Sequence, residues 1–346
     1  MQSLYFCKIR KALLRNETDF TVIVAIAVNF ASFSNEFFYS FLQGHFMFFL
    51  SKIKEFNLKD NSGITMKTSG ISKNISFIHS GNCGDCVFSL PVSMALMKQR
   101  GFEKADFYLK IDVPAVYFGV HPLGNVRMNQ KAAAMMRPLL EAQSWINRVF
   151  IVKTNPACEF VNLDAFREVL NFPLSAGNIA QWYNPTFPDL TDPPSLESPW
   201  LENVTPISLP GKDIIIFRSA RYRISDLDYG FLRRIAHRIV FIGLESEHAD
   251  FQQKFFRVDR VQIRDFKHAA QIIKGAKLII GNQTFFFSLA EALKVPRMLE
   301  TSPVCPNVIM AGGHFQYIIS PYQFQASFPH FYRKFIDPSY QQKVRP

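Results

Sequence analysis

Three hundred and forty-six residues are enough for two domains or one large one, and enough to bury full cores without disulfide or metal staples. Hydrophobic residues make up 48% and charged residues only 19%, below the roughly 25% of ordinary soluble domains, which excludes long-range disorder, collagen-like and coiled-coil structure. Lys+Arg 39 against Asp+Glu 28 leaves a net charge of +11, a balance that favours anionic partners such as phosphates, nucleic acid or a membrane surface.

Five cysteines spread over the chain make no disulfide framework, so the sequence points to a reducing, cytoplasmic setting. No run of 18 uninterrupted apolar residues is present, hence no clear transmembrane helix. Residues 1–65 differ from the rest: they hold none of the 20 prolines and 11 of the 36 phenylalanines. Lys8, Arg10, Lys11 and Arg15 precede an apolar run from Phe20 to Phe33, and a second aromatic run follows from Phe37 to Leu50. Three readings stand side by side. The segment is a signal peptide with a poor cleavage site, an interfacial membrane anchor, or an extension outside the folded unit, with the functional chain starting at Met66.

From Lys73 onward short β-rich runs alternate with helical segments, the pattern of a parallel α/β architecture. Strands are predicted at 74–81, 106–112 and 148–154, with helices at 89–101 and 129–143 between them. Seven prolines between Pro185 and Pro210 break any regular element and read as an interdomain linker with its flanks. The alternation then restarts, with strands at 213–220, 238–245, 258–265 and 277–282 and helices near 228–237, 248–256, 266–276 and 284–294. The division expected is a first Rossmann-like domain over 66–200, a second over 201–320, and a tail over 321–346 packing back on the first. Two doubly wound halves of this kind bind ligands in the cleft at the carboxyl ends of their strands.

Chemistry-bearing residues concentrate at those strand ends. In HSGNCGDCVFSLP (79–91), Gly81 and Gly84 permit a tight turn, and Asp85 stands at the mouth of the cleft or caps the following helix. Cys83 and Cys86 form a C-x-x-C, which outside a thioredoxin-sized unit is a weak redox signal and, without a second pair, no zinc signal. FRSARYR (217–223) ends a strand with Arg218, Arg221 and Arg223, whose planar forks suit phosphate; Arg233, Arg234 and Arg238 fit a solvated basic face. The aromatics are not interleaved as in nucleic-acid binders, so no nucleic-acid partner is expected. FIGLESEH (241–248) offers Glu245 and Glu247 as acceptors for ribose hydroxyls. GNQTFFFSLAEALKVP (281–296) sets Asn282, Gln283 and Thr284 at a helix start as a diphosphate cradle, while Phe285 to Phe287 read as core and Glu291 caps or faces the cleft. His79 and His314 read as structural.

GDCVFSLP (84–91), the arginine-rich strand end, GLESEH (243–248) and GNQTFFFSLAEALKVP together resemble glycosyltransferase family 9, the ADP-heptose:lipopolysaccharide heptosyltransferase group. HPLGNVRMN (121–129) and PNVIMAGGH (306–314) resemble a heptosyltransferase-like branch of it, and the likeness runs over roughly 74–315 in chain order. It implies a GT-B fold and an inverting transfer from a nucleotide-diphosphate sugar, with no cofactor and no metal. It implies Asp85 as catalytic residue, Arg218 in the phosphate-binding region, and Glu245 or Glu247 as ribose acceptor. The acceptor would be a glycan, lipid-linked or protein hydroxyl, and the site of action the cytoplasm, with peripheral contact at the inner face of the membrane. The family's Asp-Thr-Gly-x-x-His turn reads Gln283-Thr284-Phe285-x-x-Ser288 here, which leaves the sugar open. The alternatives are a nucleotide-sugar binding protein without catalysis, and a GT-B-type epimerase or hydrolase.

Overall fold

The computed structural model describes residues 74–115, 117, 124–169 and 177–340. The expectations for residues 1–65, for a start at Met66 and for the opening of HPLGNVRMN lie outside the described residues.

Two all-parallel sheets carry the fold. The first contains β1 (Asn74–His79), β2 (Lys104–Lys110), β3 (Ile146–Val152) and β4 (Val161–Asn162), in the order β3-β2-β1-β4. The second contains β5 (Ile214–Phe217), β6 (Ile239–Phe241), β7 (Asp259–Arg260), β8 (Leu278–Asn282), β9 (Arg297–Glu300) and β10 (Phe315–Ile318), in the order β10-β9-β8-β5-β6-β7. In each sheet the chain winds outward from the first strand and then returns to that strand's other side, the doubly wound arrangement. The order therefore reverses between β1 and β4 in one sheet and between β5 and β8 in the other.

Helices α1 (Cys83–Gln99), α2 (Gln130–Glu141), α3 (Phe166–Val169), α4 (Glu245–Lys254), α5 (Phe266–Gly275), α6 (Phe285–Leu293) and α7 (Pro321–Phe335) make the crossovers and the tail. Asn129, Asp265, Thr284 and Ser320 start α2, α5, α6 and α7 by accepting from a backbone N–H in the first turn. The helix predicted at 89–101 begins already at Cys83, because Asn82 is extended and its carbonyl takes the Cys86 N–H at 3.0 Å. Pro91 then lies inside α1 and has no N–H for the Val87 carbonyl. The indole of Trp200 donates to that carbonyl instead, at 3.1 Å, tying the proline-rich segment to the helix.

Side-chain alternation along β5 explains how the halves join. Ile215 and Phe217 belong to a core shared with Phe77 and Phe107 of the first sheet and with α1, α2, α5 and α6. Ile214 and Ile216 belong to a second core, closed by Phe251 of α4 and by Phe324, Phe328, Phe331 and Tyr332 of α7. The tail therefore packs on the second sheet. This corrects the expectation that the tail over 321–346 packs back on the first half: the aromatic stripe of α7 matches the apolar outer face of β5, β8 and β9. The proline-rich stretch is not a free linker either, since Leu196, Trp200, Leu201 and Val204 are buried in the shared core.

Other differences are local. The strand expected over 258–265 shrinks to Asp259–Arg260, and the helix expected at 228–237 is a 3₁₀ run over Gly230–Arg238 with a kink at Ile235. No helix among the described residues is long and apolar enough to cross a membrane.

Candidate active site at the two switch points

The turn leaving β1 delivers Asp85 to the first turn of α1. Asp85 Oδ2 receives a hydrogen bond from an Arg167 terminal nitrogen at 2.6 Å, and Arg167 Nε lies 3.6 Å from Asp164 Oδ1. Asp164 and Arg167 follow β4, the strand on the far side of β1, so the reversal of strand order brings these groups together. Ser80 N–H donates to Asp164 Oδ2. Burial alone would push the Asp164 carboxyl up; His79, the Ser80 N–H and Arg167 outweigh it and hold the group below its ordinary value. Burial likewise opposes the charge on Arg167, but Asp85, Tyr183 and Asp164 raise its affinity for the proton.

Beneath this pair lies a buried polar relay. Gly81 N–H donates to His79 Nδ1 at 3.0 Å, so the ring proton sits on Nε2, 3.4 Å from the Tyr183 hydroxyl. Tyr183 in turn donates to the Asp85 carbonyl at 2.9 Å. Burial lowers the pKa of His79, with Asp164 and Asp85 partly opposing, so the ring is kept neutral. A Cβ on Gly81 would lie 2.6 Å from His79 Cε1 and 3.1 Å from both Arg167 and Asp85 Oδ2, so glycine is required there for space. Gly84 is different. It sits inside α1, its role as a turn glycine is corrected, and a Cβ there would make only ordinary contacts, at 3.8 Å, with Phe285 and Ser288 of α6.

Neither reading of Asp85 as cap nor of the cysteines as a redox pair fits. The N-cap position is Asn82, whose side chain accepts from the Tyr117 hydroxyl at 2.6 Å and makes no cap bond. Cys83 and Cys86 are buried; burial first, and then Asp85, pushes the Cys83 thiol up to about 12. Such a thiol is no nucleophile.

The carboxyl ends of β5 and β8 form the second switch point. Arg218 is 4% exposed and spends its fork on Glu300: Nε donates to Oε2 at 2.7 Å and a terminal nitrogen to Oε1 at 2.8 Å. That same nitrogen also donates to the Ile224 carbonyl. The expected phosphate role of Arg218 is corrected on this ground. Arg223 pairs with Asp250 at 2.6 Å and donates to the Ser219 carbonyl. Arg221 has no carboxylate partner among the described residues; its guanidinium lies 5.7 Å from the ring centre of Tyr117 and 5.2 Å from that of Tyr222. It therefore bridges from the second half to the first. Tyr222 holds a left-handed backbone, φ +55°, an uncommon state for a bulky residue. Burial raises the pKa of its hydroxyl, and the neighbouring Cys305 adds to the shift.

The cradle residues prove to be staples. Asn282 accepts from Ser219 N–H at 3.0 Å and donates to the carbonyls of Ser219 and Arg221, locking the arginine loop to β8. Gln283 donates to the Cys305 carbonyl and Asn307 and accepts from Ser302 N–H. Thr284 caps α6. Glu247 accepts from Leu244 N–H at 3.0 Å; burial raises its pKa, opposed by that N–H, Arg223 and Arg221. Glu245 is exposed at the first position of α4. Glu291 neither caps nor faces a cleft: it is buried against Lys294 at 2.5 Å and Arg297 at 2.6 Å. His314 lies against Lys334 and Phe335. No group of three or more metal-ligating side chains is assembled among the described residues.

A comparison with solved structures relates this geometry to known proteins. The E. coli heptosyltransferase WaaC with ADP shares 11% identity at a TM-score of 0.50, over 75% of this chain and 99% of that one. The fold is GT-B. The glycosyl transferase family 9 protein from Veillonella parvula DSM 2008 is 12% identical at a TM-score of 0.48, over 74% of this chain and 89% of that one. The E. coli ADP-heptose lps heptosyltransferase II is also 12% identical, at a TM-score of 0.44, over 75% and 99%. No protein-family model and no curated protein sequence matches.

Within the GT-B frame, sequence reasoning missed Arg167, Asp164, Tyr117, Asn82 and Tyr222. The one local signal was Asn-Leu-Asp-x-x-Arg at the end of a strand (162–167), where Asp164 and Arg167 share one face three residues apart.

Proposed function

We propose that this chain is an enzyme that transfers a sugar from a nucleotide-diphosphate sugar to an acceptor hydroxyl, with inversion and without a bound metal. The observation that carries the reading is the placement of Asp85. Its carboxylate stands at one switch point, with Oδ1 free of partners among the described residues, and Tyr117, which donates to Asn82 beside it, lies with its ring centre 5.7 Å from the Arg221 guanidinium of the other. In open α/β sheets these are the positions where ligands bind.

The chemistry follows from the charges. Asp85 takes the proton of the acceptor hydroxyl as that oxygen attacks the anomeric carbon from the face opposite the diphosphate. The centre passes through an oxocarbenium-like state, as in glycoside hydrolysis. Arg221 and the first N–H groups of α6 stabilise the departing diphosphate, the work a divalent cation would otherwise do. Glu247 serves as the acceptor for the ribose hydroxyls. The heptosyltransferase WaaC was solved with ADP, which makes ADP-heptose the first donor to test. The acceptor is a glycan, lipid-linked or protein hydroxyl, and the net charge of +11 supports contact with an anionic membrane face.

Incubating the protein with a panel of nucleotide-diphosphate sugars and acceptors in EDTA tests the reading. The expected outcome is transfer with inverted anomeric configuration, lost about 10²–10⁴-fold in Asp85→Asn while nucleotide affinity is kept. Hydrolysis without acceptor, retained configuration or a strict magnesium requirement would each contradict it.

A further inference from the structure

Asp85 and Arg167 stand 82 residues apart in sequence, and the fold invests heavily in their meeting. The guanidinium is held from several sides. It bonds Asp85 Oδ2 at 2.6 Å, lies 3.6 Å from Asp164, and rests 4.6 Å above the ring centre of Phe166. Asp164 is itself fixed by Ser80 N–H, and its turn is fixed by Asn162 Oδ1, which accepts from Asp164 N–H. The main chain of Asp85 is held by Tyr183 through its carbonyl. Asp85 Oδ1 is left without a partner among the described residues, on a side chain 16% exposed. A largely buried ion pair of this kind sets its attraction against a desolvation cost and is weak evidence for stability. Its gain is geometric: one carboxylate oxygen is gripped so that the other has a fixed direction.

We infer that Arg167 is the positioning residue of Asp85 for the glycosyl transfer proposed above, on which this inference rests. Arg167 holds Oδ2 and presents Oδ1 to the acceptor. During transfer the acceptor proton passes to Oδ1 and the acceptor oxygen bonds to the anomeric carbon. The bond from that carbon to the diphosphate breaks, and its electron pair leaves with the diphosphate. Arg167 keeps its protons and touches no reacting atom. When Asp85 becomes neutral, the guanidinium charge stays balanced by Asp164.

The full chain is tested as Arg167→Met, Arg167→Lys, Asp164→Asn and Asp85→Asn, reading kcat, KM for donor and acceptor, and nucleoside-diphosphate Kd. Arg167→Met is expected to lower kcat about 10- to 100-fold with donor KM and nucleoside-diphosphate Kd within about twofold of wild type. Arg167→Lys, which restores the charge without the fork, is expected to recover part of kcat, and Asp164→Asn to fall between. Wild-type kcat in Arg167→Met overturns the inference. So does a kcat loss matched by an equal loss of nucleotide affinity, the mark of a merely structural role. If Asp85→Asn abolishes transfer and Arg167→Met does not, the positioning role alone fails. If Asp85→Asn still transfers, the assignment of Asp85 as base fails and takes this inference with it.

Discussion

Arg218 and Glu300 close on each other as a bidentate pair at 2.7 and 2.8 Å, both buried, at the ends of β5 and β9. Glu300 also accepts from Ile224 N–H and the Tyr229 hydroxyl, so the arginine loop is anchored to the sheet from beneath. A buried pair of this kind costs desolvation, and breaking it from one side leaves a charge with no compensation. Glu300→Leu is therefore expected to lower unfolding stability by about 3–5 kcal/mol, while Arg218→Met combined with Glu300→Leu recovers part of the loss. Urea titration of both variants and of Arg218→Met alone measures this; a double loss equal to the sum of the single losses would show that the two residues are not coupled.

The two neighbouring arginines differ in what holds them: Arg218 is paired with Glu300, and Arg221 lies against the rings of Tyr117 and Tyr222. Arg221 makes ring contacts and no carboxylate pair among the described residues, so Arg221→Ala is expected to weaken nucleoside-diphosphate binding by roughly 1.5–3 kcal/mol with little change in Tm. Calorimetric titration beside a melting curve separates the two effects. Unchanged affinity would remove Arg221 from the donor site.

A methyl group at position 81 has nowhere to go. Gly81→Ala places a Cβ against the buried His79 ring and the Asp85–Arg167 pair, and it is expected to cost about 1–3 kcal/mol and to reduce transfer. Normal stability together with normal transfer in this variant would contradict the tight packing of the β1–α1 turn.

His79 gives the fold a pH dependence of definite sign. Burial lowers its folded pKa from the ordinary 6.5, so the unfolded chain takes up a proton where the folded chain does not. Stability is thus fully present above about pH 6.5 and falls as pH drops towards the folded value, with a slope from this group of at most about 1.4 kcal/mol per pH unit. Asp164, held below its ordinary 3.8, loses its contribution only in the more acidic window below that value. Between pH 7 and 5 the wild type is expected to lose more stability than His79→Asn. Parallel curves for the two would show that His79 is not held neutral.

Thiol labelling at pH 8 distinguishes the cysteines. Cys158 is exposed, whereas burial holds the thiols of Cys83 and Cys86 up, that of Cys83 to about 12. Native protein is expected to take label at Cys158 and to protect Cys83 and Cys86 until it is unfolded. Rapid native labelling of Cys83 would reopen a redox role for the pair.

Much of this protein is written in short-range pattern. The alternation of apolar runs with helical segments is set by local periodicity, which is why strands near 74–81, 106–112 and 213–220 were legible. Strands of two to four residues such as Val161–Asn162 and Arg297–Glu300 are too brief or too polar to carry a period, and the sheet alone makes them strands. Asp85 was legible because it follows a glycine-rich turn at a strand end. Its partner was not, since the strand reversal that carries Arg167 back beside β1 is a property of topology and leaves no mark near either residue. The same reason divides the arginines: sequence placed Arg218 and Arg221 together at the end of β5, but only the fold set Glu300 beside Arg218 and opened Arg221 towards Tyr117. Residue type determined which chemistry this chain has available. Long-range packing decided which of those charges are consumed by the fold and which remain free to act.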